Sequence, residues 1–104
     1  MALPTAPSCF GSSSSNVTLP GLFGHPSSDT VHFEAVGSAT TTAGVCTILG
    51  SVSGINWATI TTLTFTSGTG NTPQFYASST VKYNFYKAAL SGMSGGSITA
   101  WINS

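Results

Sequence analysis

Between residues 57 and 66 apolar and polar side chains alternate with a period of two. Trp57, Thr59, Thr61, Leu63 and Phe65 fall on one side, and Ala58, Ile60, Thr62, Thr64 and Thr66 on the other. β-Branched and aromatic residues dominate and neither Pro nor Gly interrupts the run, so it predicts a strand. Ser53-Gly54, followed by Asn56, supplies the turn that precedes it. Five threonines in ten residues make this strand polar without charge. We expect Trp57, Leu63 and Phe65 to point into a core. Thr62, Thr64 and Thr66 would then face a neighbouring subunit or the N-terminal segment.

The same alternation marks the other strands. Val31, Phe33 and Ala35 alternate with His32 and Glu34; Ile98, Ala100 and Ile102 alternate with Thr99, Trp101 and Asn103. Residues 45–49, extending to Val52, are apolar enough to be buried on both faces. Phe75-Tyr76 begins a short strand. Residues 80–87 alternate Val81, Tyr83 and Phe85 with Lys82, Asn84 and Tyr86, and the Gly- and Ser-rich residues 90–96 read as a turn. Residues 37–44 and 67–74 have loop composition, and no window carries a helical period. The expected fold is all-β, an antiparallel β-sandwich or a small jelly-roll-like barrel.

Residues 1–28 differ in kind. Pro4, Pro7, Pro20 and Pro26, several glycines and a serine run at 12–15 exclude a regular helix and interrupt any strand. The pattern predicts an extended N-terminal arm over 1–28 and a sandwich domain over 29–104. Leu3, Phe10, Leu19, Leu22 and Phe23 give the arm apolar anchors for docking, on its own domain or on a neighbour during assembly. Asn16-Val-Thr18 fits a glycosylation sequon but reads as an ordinary loop asparagine.

Charge narrows the function classes. Asp29, Glu34, Lys82 and Lys87 are the only charged residues, 4% of the chain, and there is no arginine. Two lysines cannot neutralise the phosphates that nucleic-acid binding requires, nor form a polybasic membrane patch. No apolar run is long enough to span a membrane. The opening residues have neither a basic nor an apolar signal region, and we read no secretory signal there. A surface of zero net charge is tolerable when most of it is covered, which suits an assembly subunit. Cys9 and Cys46 match no zinc or redox spacing; they are either free thiols or one disulfide, within or between chains.

Candidate chemistry is sparse. His32 and Glu34 share a strand face and could touch one ion, but a metal site would need a third ligand from His25 or Asp29. No nucleophile elbow, phosphate loop or polarised carboxylate pair is present, so we expect no enzymatic activity and no cofactor. Trp57, Trp101, Tyr76, Tyr83 and Tyr86 could provide a stacking platform for a sugar, although core packing is the commoner use of such residues.

From Val45 to Asn103 the chain resembles small β-sandwich accessory proteins of tailed-phage virions. The residues that carry the resemblance are Gly50-Ser51, then Gly54-Ile-Asn56-Trp57 and the Thr-rich run 58–66. The aromatic run 82–87, Ser91-Gly-Met-Ser-Gly95 and the terminal run 97–102 complete it. The resemblance implies a capsid-decorating or tail-associated structural protein, made in the host cytoplasm. It would partner copies of itself or a major capsid or tail protein, with no catalytic residues to carry over and an N-terminal arm as the part that varies. The alternatives are a subunit of an extracellular fibre or pilus on the cell surface, with Cys9 cross-linked to the Cys46 of the next subunit, and a carbohydrate-binding β module.

Overall fold

The computed structural model describes residues 8–19, 21–23, 30–68, 71–78 and 83–103. Among these residues nine strands form in chain order: β1 (Ser8–Ser13), β2 (Val17–Thr18), β3 (Leu22–Phe23), β4 (Val31–Gly37), β5 (Ala43–Ser51), β6 (Ala58–Thr66), β7 (Gln74–Ser78), β8 (Phe85–Ser94) and β9 (Ile98–Asn103). They make two antiparallel sheets. The first has the order β1-β9-β4-β7. The second has the order β2-β8-β5-β6, with β3 pairing further along the same edge of β8. Among the described residues no strand pairing joins the two sheets, an arrangement consistent with a β-sandwich.

The core lies between the sheets, on the faces that the alternation marks. From the first sheet come Val31, Phe33, Ala35, Ile98, Ala100 and Ile102; from the second come Cys46, Ile48, Leu63, Phe65, Tyr86, Ala88 and Leu90. The Phe33 and Tyr86 rings meet across the sheets with centroids 5.9 Å apart. The buried Tyr86 hydroxyl accepts a hydrogen bond from the Tyr83 N–H at 2.9 Å, which offsets the desolvation of its oxygen. β5 alternates as far as Gly50: Gly44, Cys46 and Ile48 are buried while Val45, Thr47 and Leu49 are only half-buried. The expectation of burial on both faces is therefore met on one face and halved on the other.

Three β-bulges produce most of the departures from the expected pattern. In β6 the partner of Ile48 is Thr61 but the partner of Leu49 is Thr59, so Ile60 is an extra residue. An extra residue reverses which side chains face the core. Leu63 and Phe65 are buried as expected, Ile60 packs partly against the core, and Trp57 is turned to the outer face. The core position expected for Trp57 is thus corrected. In β8 the register against β5 slips between Ala43 and Val45, and Gly92, at φ 59°, lies where the extra residue is absorbed. The strand continues to Ser94, so the Gly92 region is a bulge within a strand and not the expected turn. The third bulge is in β1, where Phe10 is the extra residue between Cys9 and Gly11 and its ring is buried in the core.

One end of the sandwich is tied by hydroxyl groups. The Thr41 hydroxyl donates to the Ser97 carbonyl at 3.2 Å, the Ser97 N–H donates to Ser38 Oγ at 3.0 Å, and the Ser38 N–H donates to the Ser97 carbonyl at 2.8 Å. The connections β4–β5 and β8–β9, both of which cross between sheets, are held to each other here. The loop after β5 is organised by local serines. Ser51 Oγ accepts from the Gly54 N–H at 2.8 Å, and Ser53 Oγ accepts from the N–H groups of Ile55 and Asn56, each at 3.1 Å.

Candidate functional site

Two surfaces carry the side chains singled out by sequence. The first is the outer face of the second sheet. Thr62, Thr64 and Thr66 are all exposed there, on β6, which is an edge strand. Their cross-strand partners on β5 are Thr47, Val45 and Ala43, and the next column is Ala89 and Ser91 on β8. The result is a broad, small-residue surface with hydroxyls along its rim. At the rim the Gln74 amide donates to the Thr64 carbonyl, bridging the two sheets along their open side.

At the end of that surface stands an aromatic cluster created by the β6 bulge. Trp57 meets Phe85 edge-on with centroids 6.5 Å apart, and Lys87 Nζ sits 4.0 Å over the Trp57 ring. Lys87 is therefore held by a cation–π contact, and among the described residues no charged side chain projects from the threonine surface. Sequence reasoning missed this cluster because it placed Trp57 on the wrong face.

The second surface is the outer face of the first sheet, where residues from three strands fall into two rows. Trp101, Glu34 and Phe75 make one row; Asn103, His32 and Ala77 make the other. His32, Phe33, Glu34, Phe75, Trp101, Ile102 and Asn103 line a cavity of about 370 Å³. The expected adjacency of His32 and Glu34 on one face holds. The third metal ligand from His25 or Asp29 lies outside the described residues, and among those described no group of three His, Cys, Asp or Glu side chains could hold an ion. Trp101 was singled out from the sequence. Phe75 and Asn103 were not, although the β9 alternation that buries Ile102 implies that Trp101 and Asn103 share its opposite face.

The expected sugar platform is dispersed. Trp57 and Trp101 lie on different sheets, and Tyr86 is a core residue. Tyr83 packs against Tyr86 with centroids 6.0 Å apart, while Tyr76 is exposed on the edge strand β7.

The N-terminal residues are woven into the fold. Phe10 and Leu19 are core residues, the Leu19 N–H donates to the Ala88 carbonyl at 2.8 Å, and Asn16 Oδ1 accepts from the Met93 N–H at 3.0 Å. Leu22 and Phe23 pair through their backbones with Tyr86 and Phe85; Leu3 lies outside the described residues. Residues 8–13, 17–18 and 22–23 pair with β9 and β8, so the described part of 1–28 adds strands to both sheets. Of the two destinations expected for the arm's anchors, Phe10 and Leu19 take the first, their own domain.

Both thiols are free. Cys9 is exposed and Cys46 is fully buried, so of the arrangements offered by the sequence the chain by itself has the free thiols and not the internal disulfide. Burial pushes the Cys46 thiol up to about 11 from an ordinary value of 9.0, because an anion there would lose its hydration. Burial also raises Tyr86, against the opposing effect of the Tyr83 N–H.

Comparison of the chain with protein-family models, with curated proteins and with solved structures finds no match.

Proposed function

We propose that this chain is a non-enzymatic structural subunit of a virion, decorating a capsid or joining a tail, and that it docks through the β6 edge and the threonine surface beside it. The partner is a second copy or a major capsid or tail protein. The observation that carries the reading is the β6 edge itself. It is nine residues long, lacks proline, and exposes Thr62, Thr64 and Thr66 with no charge among them. Although the Gln74 amide occupies the Thr64 carbonyl, an edge of that kind is an invitation to strand pairing, which freely diffusing proteins ordinarily block with lysine, proline or a short strand. Threonine hydroxyls can make hydrogen bonds across an interface without burying an ion, so the face fits being covered.

The fibre alternative loses its covalent link, because a fully buried Cys46 cannot meet the Cys9 of a neighbour without opening the core. Replacing Thr62, Thr64 and Thr66 together by lysine tests the docking surface. Because these side chains are exposed, the melting temperature should barely move, with a change within about 0.5 kcal/mol. Association should be lost, both in sedimentation of the pure chain and in co-sedimentation with particles from the cells that produce it. A variant that still associates at wild-type stoichiometry would falsify the assignment of β6.

A further inference from the structure

We infer that the outer face of the first sheet is a binding site for a neutral sugar, with Trp101 as the stacking surface and Glu34, His32 and Asn103 as the hydrogen-bonding groups. The inference is independent of the docking surface, which lies on the other sheet.

The rows described above set the geometry. Side chains directly opposed on antiparallel strands stand about 5 Å apart, and successive same-face residues on one strand about 7 Å. Glu34 therefore rises between Trp101 on one neighbouring strand and Phe75 on the other, while His32 stands beside Asn103 one row along. Phe75 is 69% exposed, an unusual position for a phenylalanine, and the half-buried Trp101 faces it across the Glu34 carboxylate. Two rings with a carboxylate between them border the 370 Å³ cavity, which is within the size range of small-ligand sites.

The polar groups select the ligand. Glu34 is an acceptor, the Asn103 amide offers both a donor and an acceptor, and a neutral His32 ring likewise offers one of each. The buried Asn103 Oδ1 has no hydrogen-bond partner among the described residues. An orphaned acceptor of this kind costs free energy until a donor reaches it. An ammonium or other cation would satisfy Glu34 and Oδ1, but it could accept nothing from the asparagine amide or the imidazole N–H. Vicinal hydroxyls both donate and accept, so a pyranose can pair with the Glu34 carboxylate, the His32 ring and the Asn103 amide N–H. It can meet Asn103 Oδ1 once that side chain turns outward. Its apolar C–H face has the shape and character to lie on an indole ring. Glu34 is the one carboxylate or ammonium among the described residues that line the cavity, so a neutral sugar fits better than an acidic one, which would be repelled.

The experiment is calorimetric titration of the full chain with maltohexaose, cellohexaose, xylohexaose and mannohexaose at up to about 10 mM, the range of weak single-site binding. At least one should bind and shift the Trp101 indole N–H resonance. Trp101→Ala should weaken that binding about tenfold or more, and Glu34→Gln and Asn103→Leu should each weaken it several-fold. Trp57→Phe should leave it unchanged. Cys9, exposed and opposite Trp101 on β1, gives a second readout, since bound sugar should slow its reaction with a thiol reagent. The triple lysine variant of β6 should bind the same sugar as tightly as wild type, so this result and the assembly result stand or fall separately. Three results would overturn the inference: no binding by any of the four sugars, equal binding by Trp101→Ala, or tetramethylammonium binding at Trp101 where the sugars do not.

Discussion

Each sheet carries one tryptophan on its outer face, and the two are treated in opposite ways. Trp57, half-buried like Trp101, has Phe85 against its edge and Lys87 over its ring. Its remaining side borders a hollow of about 420 Å³ next to Tyr83. Trp101 is set among Glu34, Phe75, His32 and Asn103 around an open cavity, and among the described residues no other ring or cation lies against it. The sheets obey the same two-residue alternation and share one core, so the inward faces cannot account for the difference. It comes from the outward residues. On the second sheet these are chiefly threonine, alanine and valine, with the lysine folded back onto an aromatic ring; on the first they gather the hydrogen-bonding side chains around a hollow. One face is suited to being covered flat by a partner, the other to holding something small.

The comparison assumes that both faces are built on one sealed core, and that can be broken first. Phe10 comes from the N-terminal segment, and its ring is buried between the sheets. Phe10→Ala should cost about 3–5 kcal/mol in chemical denaturation, and removal of residues 1–28 should leave no cooperatively folding domain. A loss below about 1 kcal/mol would mean that the segment is dispensable and that the two faces are supported without it.

A smaller effect reads the dryness of that core through Cys46. Its folded-state pKa is raised, so the protein holds the thiol proton more tightly folded than unfolded. Stability from this source is complete below pH 9 and declines as pH rises towards about 11. The decline should amount to about 2–3 kcal/mol and should be absent from Cys46→Ala measured in parallel by urea titration at each pH. Cys9 should react with a thiol reagent in the native protein, and Cys46 only on unfolding. Comparable reaction rates for the two would show that solvent reaches between the sheets.

The smallest effects separate the tryptophans themselves. Trp57→Ala removes a half-buried ring and its cation–π contact and should destabilise by about 1–2 kcal/mol, with Lys87→Met accounting for about 0.5–1 kcal/mol of it. Trp101→Ala should change stability by less than about 1 kcal/mol while removing sugar binding. If Trp101→Ala proved the more destabilising of the two, the contrast between a packed and an available tryptophan would be reversed.

Period-two patterning was enough to place Val31, Phe33 and Ala35 in the core, as it was for Ile98, Ala100 and Ile102 and for Leu63 and Phe65. The reason is local: in an extended chain alternate side chains emerge on opposite sides, so a buried face is written in the order of residues. The exposure of Thr62, Thr64 and Thr66 follows from the same rule, and so does the near absence of charge on the face they share. Tertiary structure decided what depends on which distant segments pair. The extra residue Ile60 shows itself only against the register of β5, and it carried Trp57 out of the core. The segment at residues 8–23 has no convincing strand pattern of its own, yet it forms β1, β2 and β3 because β9 and β8 offer it open edges. The cavity on the first sheet needs β4, β7 and β9 side by side, which brings Glu34, Phe75 and Trp101 into one row although they are far apart in the chain. Hydrogen bonding between strands is indifferent to sequence distance, and the arrangement of side chains across a sheet therefore exists only once the strands have paired.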